Sequence, residues 1–189
     1  MSERMTVLVT GGAGYIGSHM VLALLDAGHT PVIIDDFSTG HEKLVPSGVS
    51  VFRGNVGDSA LVAEICDSHK IDAVAHFAAS IVVPESVADP LKYYVNNTVN
   101  TTRFIAACVD AGIKRFVFSS TAAVYGNQDV SPIHEGANTQ PENPYGSSKL
   151  MSEMVLRDSA AATDLSYVIL RYFNVAGADP QRRSGQLSQ

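Results

Sequence analysis

Tyr145 and Lys149 are four residues apart, a spacing that places both side chains on one face of a helix. An ammonium beside a phenol favours the phenolate, so we expect Lys149 to lower the pKa of Tyr145 and make it a proton acceptor. Upstream, Ser119, Ser120 and Thr121 offer hydroxyl groups to a substrate oxygen, although a turn after a strand also explains the serines. These residues predict proton transfer on a hydroxyl or carbonyl group.

A glycine-rich turn near the start of the chain predicts a phosphate-binding site. It follows the apolar residues 7–10 and has glycines at 11, 14 and 17, while Gly12, Gly14 and Gly17 also satisfy GxGxxG. These glycines permit a tight turn, a close approach of the backbone to a pyrophosphate and close packing of a helix on a sheet. The helix that begins there directs its free N–H groups at the anion. A turn required only for packing is the alternative.

An acidic residue follows the second apolar segment, residues 31–34. Asp35 comes 18 residues after Gly17, where a carboxylate binds the adenosine ribose hydroxyls and repels a 2′-phosphate. Residues 36–40 contain no Arg or Lys that could bind such a phosphate. These features favour NAD over NADP, against the alternative of a solvated acid at a strand end.

Apolar strand segments alternate with helical segments, which predicts a parallel sheet. Strands are predicted at residues 7–10, 31–35, 49–52, 71–76, 115–119 and 166–171. Besides the helix after the glycine turn, helices are predicted over about 58–69, 90–111 and 144–162. With right-handed crossovers these elements give an α/β fold, a doubly wound Rossmann sheet with strand order 3-2-1-4-5-6. Its ligand belongs at the carboxyl ends of the strands.

Composition restricts the class of protein. The 189 residues are 46% apolar and 17% charged, as expected of one globular domain. A net charge of −6 without a basic patch argues against a nucleic-acid partner, and no apolar run approaches a membrane span. Residues 1–4 leave no room for a signal peptide, so we expect a cytoplasmic protein. No metal motif is present, and Cys66 and Cys108 are predicted to be reduced core thiols.

Six motifs together resemble the extended short-chain dehydrogenase/reductase family, and within it the nucleotide-sugar epimerases. They occupy residues 11–19, 76–79, 93–97, 119–126, 144–149 and 170–174, so the resemblance covers nearly the whole chain. It implies interconversion of UDP-glucose and UDP-galactose by transient oxidation at carbon 4 with bound NAD.

The resemblance also implies roles for individual residues. The implied catalytic residues are Thr121, Tyr145 and Lys149. The implied contacts of the UDP-sugar substrate are Thr121, Ala122, Ala123, Tyr145 and, at the diphosphate, Asn174. The implied cofactor contacts are Gly11, Gly14, Tyr15, Ile16, Gly17, Asp35, Asp36, Phe37, Ser38, Thr39, Gly40, Asn55, Val56, Phe77, Ala78, Ala79, Asn96, Ser119, Tyr145, Lys149, Tyr172 and Phe173.

A homodimer is a further implication of the resemblance. Its interface would be formed by the helix around residues 96–111 and the helix that begins at Tyr145. Their apolar side chains available for such an interface are Val95, Val99, Phe104, Ile105, Ala106, Leu150, Met154 and Val155. The alternative is that these side chains only cover the sheet.

Three features depart from the family pattern. Asn55 stands where an Asp usually contacts the adenine amine; its carbonyl can still accept, so we expect a weaker or shifted contact. Ile81 replaces a Lys that many members place beside the cofactor. The sequence stops at Gln189, so we interpret residues 1–175 as an NAD-binding domain and residues 176–189 as the start of a smaller, largely absent substrate domain. The chain is accordingly interpreted as an amino-terminal portion.

Other functions stay open at this point. Nucleotide-sugar 4,6-dehydratases typically follow the hydroxyl residue with an Asp-Glu pair, whereas this chain has Ala122 and Ala123 there, which argues against elimination of water. Another NAD-dependent nucleotide-sugar epimerase or decarboxylase is an alternative. So is a catalytically silent NAD-binding fragment.

Overall fold

The computed structural model describes residues 3–187, and its centre is a six-stranded parallel sheet. The strands are β1 (Thr6–Thr10), β2 (Thr30–Asp35), β3 (Ser50–Arg53), β4 (Ala73–His76), β5 (Arg115–Ser119) and β6 (Ser166–Leu170). They pair in the order β3-β2-β1-β4-β5-β6, all in parallel. The predicted fold class and strand order are therefore confirmed, with strand ends that differ from the prediction by one or two residues.

Within the described residues, six α-helices connect and cover the strands. They are α1 (Tyr15–Asp26), α2 (Ser59–His69), α3 (Val83–Ala88), α4 (Pro90–Tyr93), α5 (Asn100–Asp110) and α6 (Pro144–Ala162). The single helix predicted over 90–111 is divided, because a π-helical turn, Tyr94–Val99, joins α4 to α5. A short 3-10 turn, Ala122–Tyr125, follows β5. None of the helices within residues 3–187 is long and apolar enough to cross a membrane.

The core lies on both faces of the sheet, which explains why the strands are almost continuously apolar. Successive residues of β1 point to opposite faces: Leu8 belongs to one buried cluster, and Val7 and Val9 belong to the other. Helices α2, α5 and α6 contribute to the first cluster and α1 contributes to the second. Cys66 and Cys108 are free thiols buried in the first cluster, as predicted.

After β6 the chain returns to the first helix. Tyr15 Oη donates to Gly177 O at 2.6 Å, and Arg183 pairs with Asp26 at 2.7 Å. Residues 177–183 therefore contact the same sheet domain as the rest of the chain. The proposed division after residue 175 stays a prediction.

Candidate active site

The glycine turn between β1 and α1 is as tight as its sequence predicts. Gly11 has φ +66°, and its N–H donates to Ile34 O at 2.9 Å. A Cβ at Gly17 would lie 2.1 Å from Gly11 O, so α1 packs directly on the turn. The first N–H to bond within α1 is that of Ser18, which donates to Gly14 O at 3.0 Å. The preceding N–H groups of the helix remain for an anion.

Asp35 holds the glycine turn against the end of β2. Its Oδ2 accepts from Ala13 N at 2.9 Å and its Oδ1 accepts from Phe37 N at 2.8 Å. Burial raises the pKa of Asp35, while these two hydrogen bonds oppose the increase. Because each carboxylate oxygen has two lone pairs, Asp35 can also accept from a ribose hydroxyl.

A cation lies near this carboxylate, although residues 36–40 contain none. Arg53 is the partner of Asp35 in the β2–β3 register, and its guanidinium lies 4.2 Å from the centre of the Phe37 ring. Glu42 pairs with that guanidinium at 2.7 Å. Sequence reasoning missed Arg53 because it considered only the segment after β2.

Asn55 lies in the turn that follows β3. Its Oδ1 accepts from Gly57 N at 2.8 Å within the turn after β3, and its Nδ2 faces Asp36 Oδ2 at 3.4 Å. The Asn55 carbonyl oxygen therefore keeps one lone pair for an adenine amine, and the exposed Asp36 carboxylate lies beside the side chain. Val56 is buried next to this turn, and Ile81 is exposed.

The loop after β4 is fixed by hydrogen bonds to Thr10 at the end of β1. Thr10 Oγ1 accepts from the N–H groups of Phe77 and Ala78, both at 3.1 Å, so its own proton is directed at His76 Nδ1, 2.7 Å away. His76 therefore carries its proton on Nε2 and donates to Thr101 Oγ1 at 3.0 Å. Complete burial lowers the pKa of His76 to about 3, which keeps the ring neutral.

The π-helical turn directs two consecutive asparagines at the next part of that loop. Asn97 accepts from Ser80 N at 2.8 Å and donates to Ser80 O at 2.9 Å and Ser148 Oγ at 3.1 Å. Asn96 donates to Ser80 Oγ at 3.0 Å. Residues 77–80 are thus held between β1, the π-helical turn and α6, as a rigid binding loop requires.

The first turn of α6 brings Tyr145 to the end of β5. Asn143 caps the helix by accepting from Gly146 N at 2.8 Å, and a Cβ at Gly146 would lie 2.7 Å from Ala123 O. Thr121 Oγ1 accepts from Ala123 N at 3.1 Å. The Thr121 hydroxyl also lies beside the Tyr145 phenol. The structure therefore brings the two predicted hydroxyl groups into one site.

Lys149 is 2% exposed and lies beneath the end of β5. Its Nζ donates to Ser119 O at 2.7 Å and lies 4.8 Å from the centre of the Phe118 ring. Burial lowers the pKa of Lys149 to about 7. The expectation that the pKa of Tyr145 is lowered is wrong for this structure, because burial raises that pKa and the Thr121 hydroxyl only opposes the increase.

The segment after β6 packs against the end of β5 and the turn that follows it. The Tyr172 hydroxyl bonds to Ser119 Oγ, and Tyr172 O accepts from Ala122 N at 3.0 Å. Phe173 and Asn174 are exposed at the surface. The structure therefore brings Tyr172 to the predicted catalytic residues and leaves the two residues after it facing outward.

Glu153, one helical turn after Lys149, is a site residue that the sequence analysis did not identify. It is fully buried and accepts hydrogen bonds from Ser120, Arg157 and Arg171. The only signal in the sequence was its spacing of four residues from Lys149, which places both on one face of α6.

Comparison with known proteins agrees with this geometry. Residues 7–189 match the model of the NAD dependent epimerase/dehydratase family. The UDP-glucose 4-epimerase of Azospirillum brasilense is 58% identical over 180 residues, which are 95% of this chain and 52% of that protein. The enzyme of the same name from Lacticaseibacillus casei is 46% identical, over 96% of this chain and 55% of its own length. This chain thus spans about half the length of the curated relatives it matches.

A solved structure is similar as well. The UDP-glucose 4-epimerase from Brucella ovis in complex with NAD superimposes with a TM-score of 0.94 and 44% identity, over 97% of this chain and 56% of that one.

Proposed function

Because this chain belongs to the NAD dependent epimerase/dehydratase family, we propose that it carries the cofactor-binding and proton-transfer part of a UDP-glucose 4-epimerase. The enzyme would interconvert UDP-glucose and UDP-galactose by transient oxidation at carbon 4. The observation that carries this proposal is that Tyr145 lies beside Thr121 and one helical turn from the buried Lys149, whose Nζ donates to Ser119 O. The names of the most similar relatives support the same reaction.

The residues at the strand ends fit NAD. The N–H groups of residues 15–17 at the start of α1 suit its pyrophosphate, and Asp35 keeps lone pairs for the adenosine ribose. Residues 77–79 and Asn96 border the same edge of the sheet, and Lys149 lies at its far end. We propose that these groups hold the cofactor, and that the carboxylate of Asp35 selects against a 2′-phosphate.

The chain's own residues supply the proton transfer. NAD, when bound, provides the acceptor and later the source of the hydride at carbon 4. Tyr145 takes the proton of the 4-hydroxyl and later returns it, while Thr121 orients the 4-oxygen. Because burial raises the pKa of Tyr145, ionisation needs a stabilising group, and the Thr121 hydroxyl is the group that opposes the increase. The oxidised sugar presents its other face before the hydride returns, which inverts carbon 4.

The residues after Thr121 disfavour elimination of water. Ala122 is buried and Ala123 is half-buried, and neither side chain has an ionisable group. A dehydratase would require an acid and a base next to the reacting carbon atoms. Epimerisation requires no acid or base other than Tyr145.

We also propose a homodimer formed through α5, the π-helical turn and α6. Val95 and Met154 are 54% and 50% exposed and offer apolar surface on neighbouring helices. Three side chains that the sequence analysis assigned to this interface, Phe104, Ile105 and Leu150, are buried in the cores of this chain instead. Sedimentation of the complete protein should give a dimer, and a strict monomer at high concentration would contradict the proposed homodimer.

The epimerase proposal is tested by measuring conversion of UDP-galactose with the 189-residue chain and with a complete protein of the relatives' length. We expect the complete protein to be active. The short chain should bind NAD yet convert the sugar negligibly, because binding energy from the remote nucleotide positions the sugar. Rapid conversion by the short chain would show that the proposed location of the substrate site is wrong.

A further inference from the structure

Glu153 is a buried carboxylate with an unusually complete set of donors. Ser120 Oγ donates at 2.5 Å, Arg157 Nη2 at 2.9 Å, and Arg171 makes a two-pronged contact through Nε at 2.9 Å and Nη2 at 2.6 Å. The carboxylate is 0% exposed. A buried charge is costly unless it is paired and hydrogen-bonded, so this arrangement stabilises the anion inside the protein.

The donors come from three different parts of the fold. Ser120 directly follows β5, Arg171 directly follows β6, and Arg157 lies one turn farther along α6. Glu153 thus joins α6 to the ends of both strands. The backbone strengthens the same connection, because Ser120 N donates to Leu170 O at 2.9 Å.

Ser120 has a proposed site residue on each side. The carbonyl of Ser119 accepts from Lys149 Nζ at 2.7 Å, and the Thr121 hydroxyl lies beside Tyr145. Resting on the proposed function above, we infer that Glu153 is a positioning residue for proton transfer, which fixes the Ser119–Thr121 backbone relative to α6 and supplies a negative charge one helical turn from Lys149.

The charge environment of Lys149 supports the second part of this inference. Burial lowers the pKa of Lys149, and the carboxylate of Glu153 is the group that opposes the decrease. From β4, His76 faces Lys149 as a neutral ring. From α6 and from the segment after β6, Tyr145 and Tyr172 lie at the same site, both with pKa values raised by burial. Among the described residues, Glu153 is therefore the anion available to favour the ammonium.

Arg157 and Arg171 limit this effect without removing it. Both guanidinium groups contact Glu153, so part of its field is neutralised. Arg171 also lies 4.9 Å from the centre of the Tyr125 ring, a second contact that fixes its orientation. The network consequently orients Glu153, and the Glu153 carboxylate is the charge that opposes the decrease in the pKa of Lys149.

The test uses the complete protein with lysine labelled for NMR, the Lys149 signal being assigned by its loss in Lys149→Met. Glu153→Gln keeps the shape and one acceptor oxygen but removes the charge. We expect the midpoint of Lys149 titration to fall by about one pH unit, as for loss of a nearby opposite charge. Asp158→Asn, a neutralisation at an exposed position of the same helix, should leave the midpoint unchanged.

Ser120→Ala tests the positioning separately and is available if Glu153→Gln fails to fold. It removes one hydrogen bond without altering any charge, so we expect kcat for epimerisation to fall roughly tenfold with little change in KM. The Lys149 midpoint should not move. An unchanged kcat in Ser120→Ala, or an unchanged Lys149 midpoint in Glu153→Gln, would overturn the inference.

These outcomes are distinguishable from failure of the proposed function. If the unaltered complete protein did not epimerise UDP-galactose, the epimerase proposal would fail. The Lys149 titration would still decide whether Glu153 sets the charge of that lysine.

Discussion

Lys149→Met should make the stability of the protein less dependent on pH. Burial lowers the pKa of Lys149 to about 7 in the folded state, from an ordinary value of 10.5. Between these values the unfolded chain binds the proton more strongly than the folded protein does. Protonation therefore opposes folding, and the free energy of unfolding should rise with pH across this interval.

The magnitude follows from the linkage relation. One pKa unit corresponds to about 1.4 kcal/mol, so Lys149 should add about 2 kcal/mol to the free energy of unfolding between pH 7 and pH 9. The Met variant lacks this contribution, while the other titrating groups contribute equally in both proteins. The free energies of unfolding of the unaltered protein and of Lys149→Met should thus differ by an amount that changes by about 2 kcal/mol between pH 7 and pH 9.

Urea unfolding followed by circular dichroism is the suitable assay, because the chain has no Trp for fluorescence. Lys43→Met, at an exposed position, is the matched control and should follow the unaltered protein. Parallel stability curves for the unaltered protein and Lys149→Met between pH 7 and pH 9 would refute the reasoning. They would mean that Lys149 is not desolvated as its burial indicates.

Two further predictions concern the cofactor and acid stability. Asp35→Ala should narrow the preference for NAD over NADP, because the carboxylate at the end of β2 repels a 2′-phosphate. Calorimetric titration measures the affinities for both cofactors. Equal affinities in the unaltered protein would contradict the proposed role of Asp35. His76 is neutral with a pKa of about 3 in the folded state and 6.5 ordinarily, so the folded state binds fewer protons and stability should fall as the pH drops below 6.5. Its contribution amounts to about 2 kcal/mol at pH 5. In urea unfolding, the free energy of unfolding should therefore decrease less at acid pH in His76→Gln than in the unaltered protein. The exposed control His134→Gln should behave like the unaltered protein.

Much of the fold could be predicted because its signals are local. The glycine turn and the apolar strands each depend on a few neighbouring residues. The π-helical turn Tyr94–Val99 could not be predicted in this way, because one extra residue per turn hardly alters the apolar pattern over so short a segment.

The sequence predicted which side chains of the site lie together better than it predicted their pKa shifts. The spacing of Tyr145 and Lys149 predicts their shared helix face, but burial sets the direction of both pKa shifts, and burial is not visible in spacing. Glu153 was missed because its partners Ser120 and Arg171 are 33 and 18 residues away in sequence. Without those partners, a helical Glu is expected to face solvent.

In the proposed mechanism, Tyr145 transfers the proton at carbon 4 while the rest of the site binds NAD. Its most direct test is Tyr145→Phe in the complete protein, with UDP-galactose conversion and bound NAD measured on the same sample. The variant keeps the ring and loses only the hydroxyl, so epimerisation should be abolished while NAD content stays at the level of the unaltered protein. Conversion at the unaltered rate by a variant that retains its NAD would contradict the account.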